Sequence, residues 1–296
     1  QLQLNWARKF GQHDVSAMGL FSRQENARGS VMPTYREDWA FRATYSYAGR
    51  YNIEYNGAYN GSEKFSKDNR FAFFNSGAIG WTITEENFMK SLRDKHIIDM
   101  LKFRASYGEI GDDNLGPDPF DSTRRWLYMS QWAYGGKSTM DLDHTESIYT
   151  WYRQNTLGNE NVKWETVKKT NFGVDYGFLG GLITGSLDFF CDRRNDILIF
   201  GSNRSVPSYF GTTAPTINKG KVRTSGYELE LKLNKVFANG LRLWGNFNMT
   251  HAKNKVILKD DAILTPNYQK EAGFAMNQYR SYIDRGFINN IDDLIG

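Results

Sequence analysis

The sequence predicts an all-β protein: a partial antiparallel transmembrane β-barrel of about ten or eleven strands. Three observations predict it. Segments of about ten residues alternate apolar with polar side chains, which puts one kind on each face of a strand. Short connections take turns with long polar loops, as in barrels that turn tightly at one end and loop widely at the other. The chain is aromatic-rich, at 15%, with 17 Tyr and 8 Trp. Its mean hydropathy is nevertheless −0.60.

The elements follow in order. Strands are expected near 1–10, 14–24, 38–48, 51–60, 71–83, 98–110, 166–178, 182–196, 219–235 and 241–253, with an eleventh near 275–288. In the third, Trp39, Phe41, Ala43, Tyr45 and Tyr47 oppose Ala40, Arg42, Thr44 and Ser46. The same alternation sets Tyr55 against Glu54, Phe103 against Arg104, Val174 against Asp175 and Leu231 against Lys232. Short turns are expected at Phe10–His13, Ala48–Arg50, Leu179–Gly181 and Phe237–Gly240. Long loops are expected at Glu25–Glu37, Gly61–Arg70, Gly111–Trp164 and Phe200–Asn218, and beyond Asn254. Between Thr84 and Ile97 the residues Phe88, Met89, Leu92, His96 and Ile97 fall at near-helical spacing, so a short amphipathic helical turn is expected there. No Pro-, Gly- or Ser-rich linker divides the chain, so one domain is expected over 1–296.

Pattern alone also fits a soluble antiparallel sheet with one wet face. Composition favours the membrane. A soluble core leans on Val, Ile and Leu, whereas Tyr and Trp at strand ends suit the two girdles at a membrane–water boundary. No apolar run of about 18 residues could form a transmembrane helix, and a barrel needs none. In such a barrel Phe41, Tyr55, Phe103, Val174 and Leu231 face lipid, and Arg42, Glu54, Arg104, Asp175 and Lys232 face the lumen.

The residues speak against catalysis. His13, His96, His144 and His251 are scattered without metal-ligand spacing, and no nucleophile-elbow or phosphate-loop motif is present. No enzyme activity, cofactor or metal is expected. Net charge is +4, spread along the chain, without the basic stripe of a nucleic-acid binder. Asp112, Asp113, Asp118 and Asp121 supply calcium-type ligands but lack EF-hand spacing, so a solvated loop is the better reading. Cys191 sits in a strand-like run as a small side chain.

The loop Gly111–Trp164 carries the candidate ligand-binding residues Trp126, Tyr128, Trp132, Tyr134, Trp151 and Tyr152, with Arg124, Arg125, Asp141 and Asp143. Sugar rings stack apolar C–H faces on aromatics and offer hydroxyls to polar groups. The alternative is that these rings pack the long loop onto itself or against a lid. The spacing Trp126-x-Tyr128 suggests that part of the loop extends as a strand above the membrane.

Several runs, in order, resemble the SusC/RagA-type family of TonB-dependent outer-membrane transporters. They are Gly57-Ala58-Tyr59-Asn60-Gly61-Ser62-Glu63-Lys64-Phe65 and Phe74-Asn75-Ser76-Gly77-Ala78-Ile79-Gly80-Trp81, followed by Glu85-Glu86-Asn87-Phe88-Met89. Further on come Leu101–Gly108, Trp164-Glu165 leading to Thr170–Asp175, Asp188-Phe189-Phe190 leading to Asp196-Ile197-Leu198, and Gly220-Lys221-Val222 with Gly226–Glu230. The resemblance implies a barrel of about 22 strands, of which this chain holds a middle-to-late part without the plug domain. It implies a multi-pass protein of the outer membrane that imports glycan oligosaccharides, with peptides as a further substrate class. The partners implied are TonB, acting through the plug, and a SusD-like surface lipoprotein. Two other readings stand beside it: a soluble or surface-anchored β-protein that binds carbohydrate, and a siderophore or cobalamin transporter of the same fold. The chain opens inside a strand pattern with no leader, so a piece of a longer or processed protein is expected.

Overall fold

The computed structural model of the protein describes residues 1–116, 118, 120–137 and 150–282. Ten strands form one antiparallel sheet: β1 (Leu2–Phe10), β2 (His13–Arg28), β3 (Val31–Tyr47), β4 (Tyr51–Ser62), β5 (Phe71–Thr82), β6 (Ile98–Asp112), β9 (Glu165–Phe178), β10 (Ile183–Ile199), β11 (Ile217–Val236) and β12 (Arg242–Leu258). Each pairs with its neighbour in chain order, and β1 and β12 are the edges of the open sheet among the described residues. The strands β7 (Gln131–Lys137) and β8 (Thr150–Thr156) pair separately as a small ribbon in the connection between β6 and β9. The ten expected wall strands are therefore present, several of them longer than expected.

Three expectations are corrected. Glu25–Glu37 is not a loop: β2 and β3 continue through it and join by the two residues Gly29 and Ser30. This short turn lies at the same end of the sheet as the long loops. The stretch mixes Glu25, Asn26, Arg28 and Ser30 with Val31, Met32 and Pro33 and has no strict alternation, which imitates a loop in sequence. Gly29 takes φ +55°, which a tight turn requires and glycine adopts without strain. Pro33 falls where the register slips between Asn26 and Arg28, so its missing N–H breaks no ladder bond. The eleventh strand is absent from 275–282, which forms turns and coil, and 283–288 lies outside the described residues. The loop expected beyond Asn254 begins after Leu258.

Between β5 and β6 the expected helical segment is present as two 3-10 turns, Ile83–Glu85 and Asn87–Met89, and the single-turn helix α1 (Lys90–Asp94). Met89 is buried while Phe88 points to solvent.

Register carries each face across the sheet, because directly paired residues share a side. One face carries Phe41, Tyr55, Phe103, Val174 and Leu231; the other carries Arg42, Glu54, Arg104, Asp175 and Lys232. The rings of Phe41 and Tyr55 lie 5.7 Å apart and those of Phe103 and Phe172 6.2 Å apart. Arg42 meets Glu54 at 2.7 Å, and Arg104 meets Asp175 at 2.8 Å and Asp188 at 3.0 Å.

The apolar face has two aligned aromatic rows. Tyr47, Tyr51 and Trp81 pair across β3, β4 and β5 near the turn end. Trp39, Tyr59 and Phe73 pair across the same strands near the loop end. On each strand the two rows stand eight residues apart, about 26 Å of extended chain. With strands tilted as in a barrel wall, that spans roughly 20 Å of height, close to the apolar band of about 25 Å. Both tryptophans donate their indole N–H to a carboxylate beyond the band: Trp39 to Glu37 at 2.9 Å and Trp81 to Glu86 at 3.2 Å. An amphipathic ring with its polar end satisfied outside is what a membrane interface selects.

Candidate ligand-binding surface

At the loop end the connections pack together over a small core. Phe65 from the β4–β5 loop, Leu115, Leu127, Val162 and Trp164 from the β6–β9 connection, and Phe74 and Leu198 from the wall are all buried in it. The Trp164 ring lies tilted against Phe65 at 5.2 Å and meets Phe74 edge to face at 5.7 Å. The long loop thus packs itself with two leucines, a valine and Trp164, and none of the six candidate aromatics belongs to that core.

One charged residue ties the loops together. The helix α2 (Ser122–Arg125) ends on Arg125, which is 2% exposed. Its guanidinium donates to Glu63 Oε1 at 2.7 Å and to the carbonyls of Met32 and Pro33. It also lies 4.7 Å from the Trp126 ring. Arg125 therefore joins the β6–β9 connection to the β4–β5 loop and to the tip of the β2–β3 ribbon. Sequence reasoning named Arg125 only as a polar companion, because nothing local distinguishes a buried arginine from the exposed Arg124 before it.

The six candidates separate into two groups. Trp132, Tyr134 and Tyr152 stand on one face of the β7–β8 ribbon, exposed by 67%, 60% and 64%. The rings of Tyr134 and Tyr152 meet edge to face at 5.9 Å, and Gln154 pairs with Trp132 on that face. Trp151 is on the opposite face, lying across Gly135, where a Cβ would meet its ring at 2.4 Å. Trp126 and Tyr128 are half-buried and line a separate cavity. They follow α2 in a turn, so the expected extended strand at Trp126-x-Tyr128 is replaced by a ribbon a few residues later. Asp141, Asp143 and His144 lie outside the described residues.

The acidic cluster is dispersed among cations. Asp112 pairs with Arg194 at 2.7 Å, Asp113 with Arg36 at 3.0 Å, Asp118 with Arg28 at 3.4 Å and Asp121 with Arg124 at 3.8 Å. Among the described residues no group of three metal-type ligands converges.

The polar face of the wall holds a depression of about 580 Å³ lined by Ser16, Thr44, Glu54, Lys102, Arg104 and Asn171. Beside it Asn171 Oδ1 and Asp188 Oδ1 are buried acceptors without a partner.

One apolar face banded by aromatics, one charged face, and packed loops at a single end define the class: a wall of an outer-membrane β-barrel. The chain belongs to the TonB dependent receptor-like β-barrel family, whose model matches residues 2–281. It is similar to TonB-dependent receptor P3 of Formosa agariphila, at 30% identity over 220 residues, 74% of this chain and 20% of that protein. It is likewise similar to TonB-dependent receptor SusC of Bacteroides thetaiotaomicron, at 31% identity over 218 residues, 73% of this chain and 20% of that one. The RagAB peptide importer in its closed-closed state shares the fold, with a TM-score of 0.71 and 17% identity over 92% of this chain and 32% of that chain. The chain spans about a fifth of the length of the curated relatives it matches. The family is one of outer-membrane receptors and transporters, not of enzymes. Membership sets the soluble reading aside.

Proposed function

We propose that residues 1–296 form part of the barrel domain of a TonB-dependent importer, and that its substrate is a glycan oligomer. The observation that carries the substrate class is the exposed aromatic face Trp132–Tyr134–Tyr152 on the β7–β8 ribbon. Three rings in water, with Gln154 beside them, offer flat apolar surfaces for the C–H faces of successive sugar rings and an amide for their hydroxyls. The loop core is filled instead by Phe65, Leu115, Leu127, Val162 and Trp164, which leaves these three rings outside it. A SusD-like surface lipoprotein completes the capture surface in this reading. TonB supplies the energy through a plug domain seated in the barrel, against the polar wall face. Peptides are the second substrate class; a siderophore or cobalamin cargo has no observation here in its favour.

The test is oligosaccharide binding and uptake by the receptor in outer membranes. Replacing Trp132, Tyr134 and Tyr152 together by Ala should weaken glycan binding by about tenfold or more, since each stacked ring contributes roughly 0.5–1.5 kcal/mol. Unchanged glycan affinity in a receptor that still reaches the membrane would refute the assignment.

A further inference from the structure

The outward face of the wall changes character along β9–β12. Each of these strands presents apolar side chains toward the turn end and a cation toward the loop end. On β11 the outward series is Leu233, Leu231, Leu229, Tyr227, Ser225 and Arg223, on the face of Phe103. Register sets Arg223 directly between Arg193 on β10 and Lys255 on β12, and Arg193 opposite Lys168 on β9. From Leu233 to Arg223 is about 33 Å of extended chain. At a strand tilt of ~40° that is roughly 25 Å of height, the depth of the apolar band. The Tyr227 and His251 rings, 5.5 Å apart, lie just below the cations. The row therefore stands at the lipid boundary, outside the barrel and at the end of the long loops.

This row is not compensated from within. Direct pairing sets like charges side by side across the ladder, which costs stability. On β6 the row ends at Glu109, which meets Lys168 at 2.9 Å. Asp196, nearer the loops, is taken by Lys163 at 3.3 Å. Arg193, Arg223 and Lys255 are exposed, and none of them has a carboxylate partner among the described residues. The chain after β12 turns back beside it, with Gly273 and Phe274 bonded to Val256, and brings no carboxylate from Ala272 to Tyr282. The inward face of the same strands is arranged otherwise. There Lys169 meets Asp192 at 3.2 Å, and Arg194 meets Asp112 at 2.7 Å and Glu165 at 3.3 Å. At this level the inward cations are paired within the chain, and the outward ones are left for a partner.

We infer that Arg193, Arg223 and Lys255 form a binding row for the phosphates of an anionic lipid in the surrounding outer leaflet. Adjacent strands lie about 4.8 Å apart, so the three cations span roughly 10 Å, within the reach of one headgroup. Guanidinium forks suit phosphate oxygens, and the phosphates offset the repulsion that the pairing creates. The acyl chains lie over Tyr227, Leu229 and Leu231 below. A free anion gains nothing from that apolar strip, and a solute in the lumen does not reach this face. The site rests on the outer-membrane reading of the apolar face, and it does not depend on which solute the receptor imports.

Native mass spectrometry of the detergent-extracted receptor tests it, with lipid A and the same lipid stripped of its phosphates offered in equal amounts. Lipid A adducts should persist at least tenfold more strongly. The triple substitution R193Q/R223Q/K255Q should abolish that preference. Arg223→Gln alone should reduce it part of the way, which keeps the test open if the triple variant does not assemble. Lys232→Gln on the lumen face should leave it intact; a preference lost there would mean that net charge alone sets it, and would overturn the site. Equal retention of the two lipids by the wild type, or a preference that survives the triple substitution, overturns it as well. So does inorganic phosphate that displaces lipid A at similar concentration, which would make the row a simple anion site.

Discussion

Arg125 joins three parts of the loop end through one buried side chain. It is a buried cation that closes on one carboxylate and two carbonyls drawn from two other connections. Removing one partner of a buried pair typically costs about 3–5 kcal/mol, because the remaining charge and carbonyls lose their donor in a dry site. Arg125→Ala should leave the wall assembled while freeing the β6–β9 connection. Limited proteolysis of intact cells, with cleavage between residues 113 and 164 rising at least tenfold, would register this. Asp260 behaves differently. Burial works to raise its pKa, but hydrogen bonds from Lys219 and Arg204 prevail and hold it below the ordinary aspartate value. A depressed carboxylate stabilises the fold above its unfolded pKa, and the contribution fades as pH falls through the folded one. The Ser205 amide, which donates to Asp260 at 3.3 Å, should stay protected from hydrogen exchange at neutral pH and lose protection only below the usual aspartate range. Protection lost already near pH 6 would contradict the sign.

At the level of the elements, the ten wall strands were readable because the period-two pattern is strict wherever one side meets lipid and the other water. Phe41 beside Arg42, or Phe103 beside Arg104, states the face directly. Above the apolar band that contrast ends, which is why Glu25–Glu37 looked like a loop and the true strand length was hidden. The candidate site was half visible. Aromatic content marked the right connection, but the separation of Trp132, Tyr134 and Tyr152 from Trp126 and Tyr128 depends on a bulged ribbon register between Tyr134 and Gly136. Strand contact also explains Gly226. A Cβ there would stand 2.0 Å from the His251 carbonyl oxygen and 2.8 Å from the Phe190 ring. Gly226→Val should therefore loosen the β11–β12 ladder by about 1–3 kcal/mol. A receptor band that shifts on gels at lower temperature than wild type would show it; an unchanged shift temperature would show that β12 can yield.

For the whole molecule, the open edges matter most. β1 leaves a row of backbone N–H and C=O groups unpaired among the described residues, β12 is covered on its outer side at Val256 by Gly273 and Phe274 and is otherwise open there, and the apolar face is broad. Lipid cannot satisfy such edges and water cannot tolerate such a face. The 296 residues expressed alone should associate or precipitate in buffer without detergent. A monomer in size-exclusion chromatography under those conditions would overturn the membrane-wall reading of the sheet.

The eight-residue interval between Tyr47 and Trp39, repeated by Tyr51 and Tyr59 and by Trp81 and Phe73, acts as a built-in ruler for membrane thickness. Because indole donors and carboxylates lock both ends of it, the wall cannot lengthen its apolar band to suit a thicker bilayer. Mismatch would have to be absorbed by the lipid, at a fraction of a kcal/mol per Å. Reconstituted into vesicles of increasing acyl length, the receptor should be most heat-resistant in thin bilayers and lose resistance steadily as chains lengthen. An interval of this length matches a thin bilayer, and the bacterial outer membrane is thinner than most.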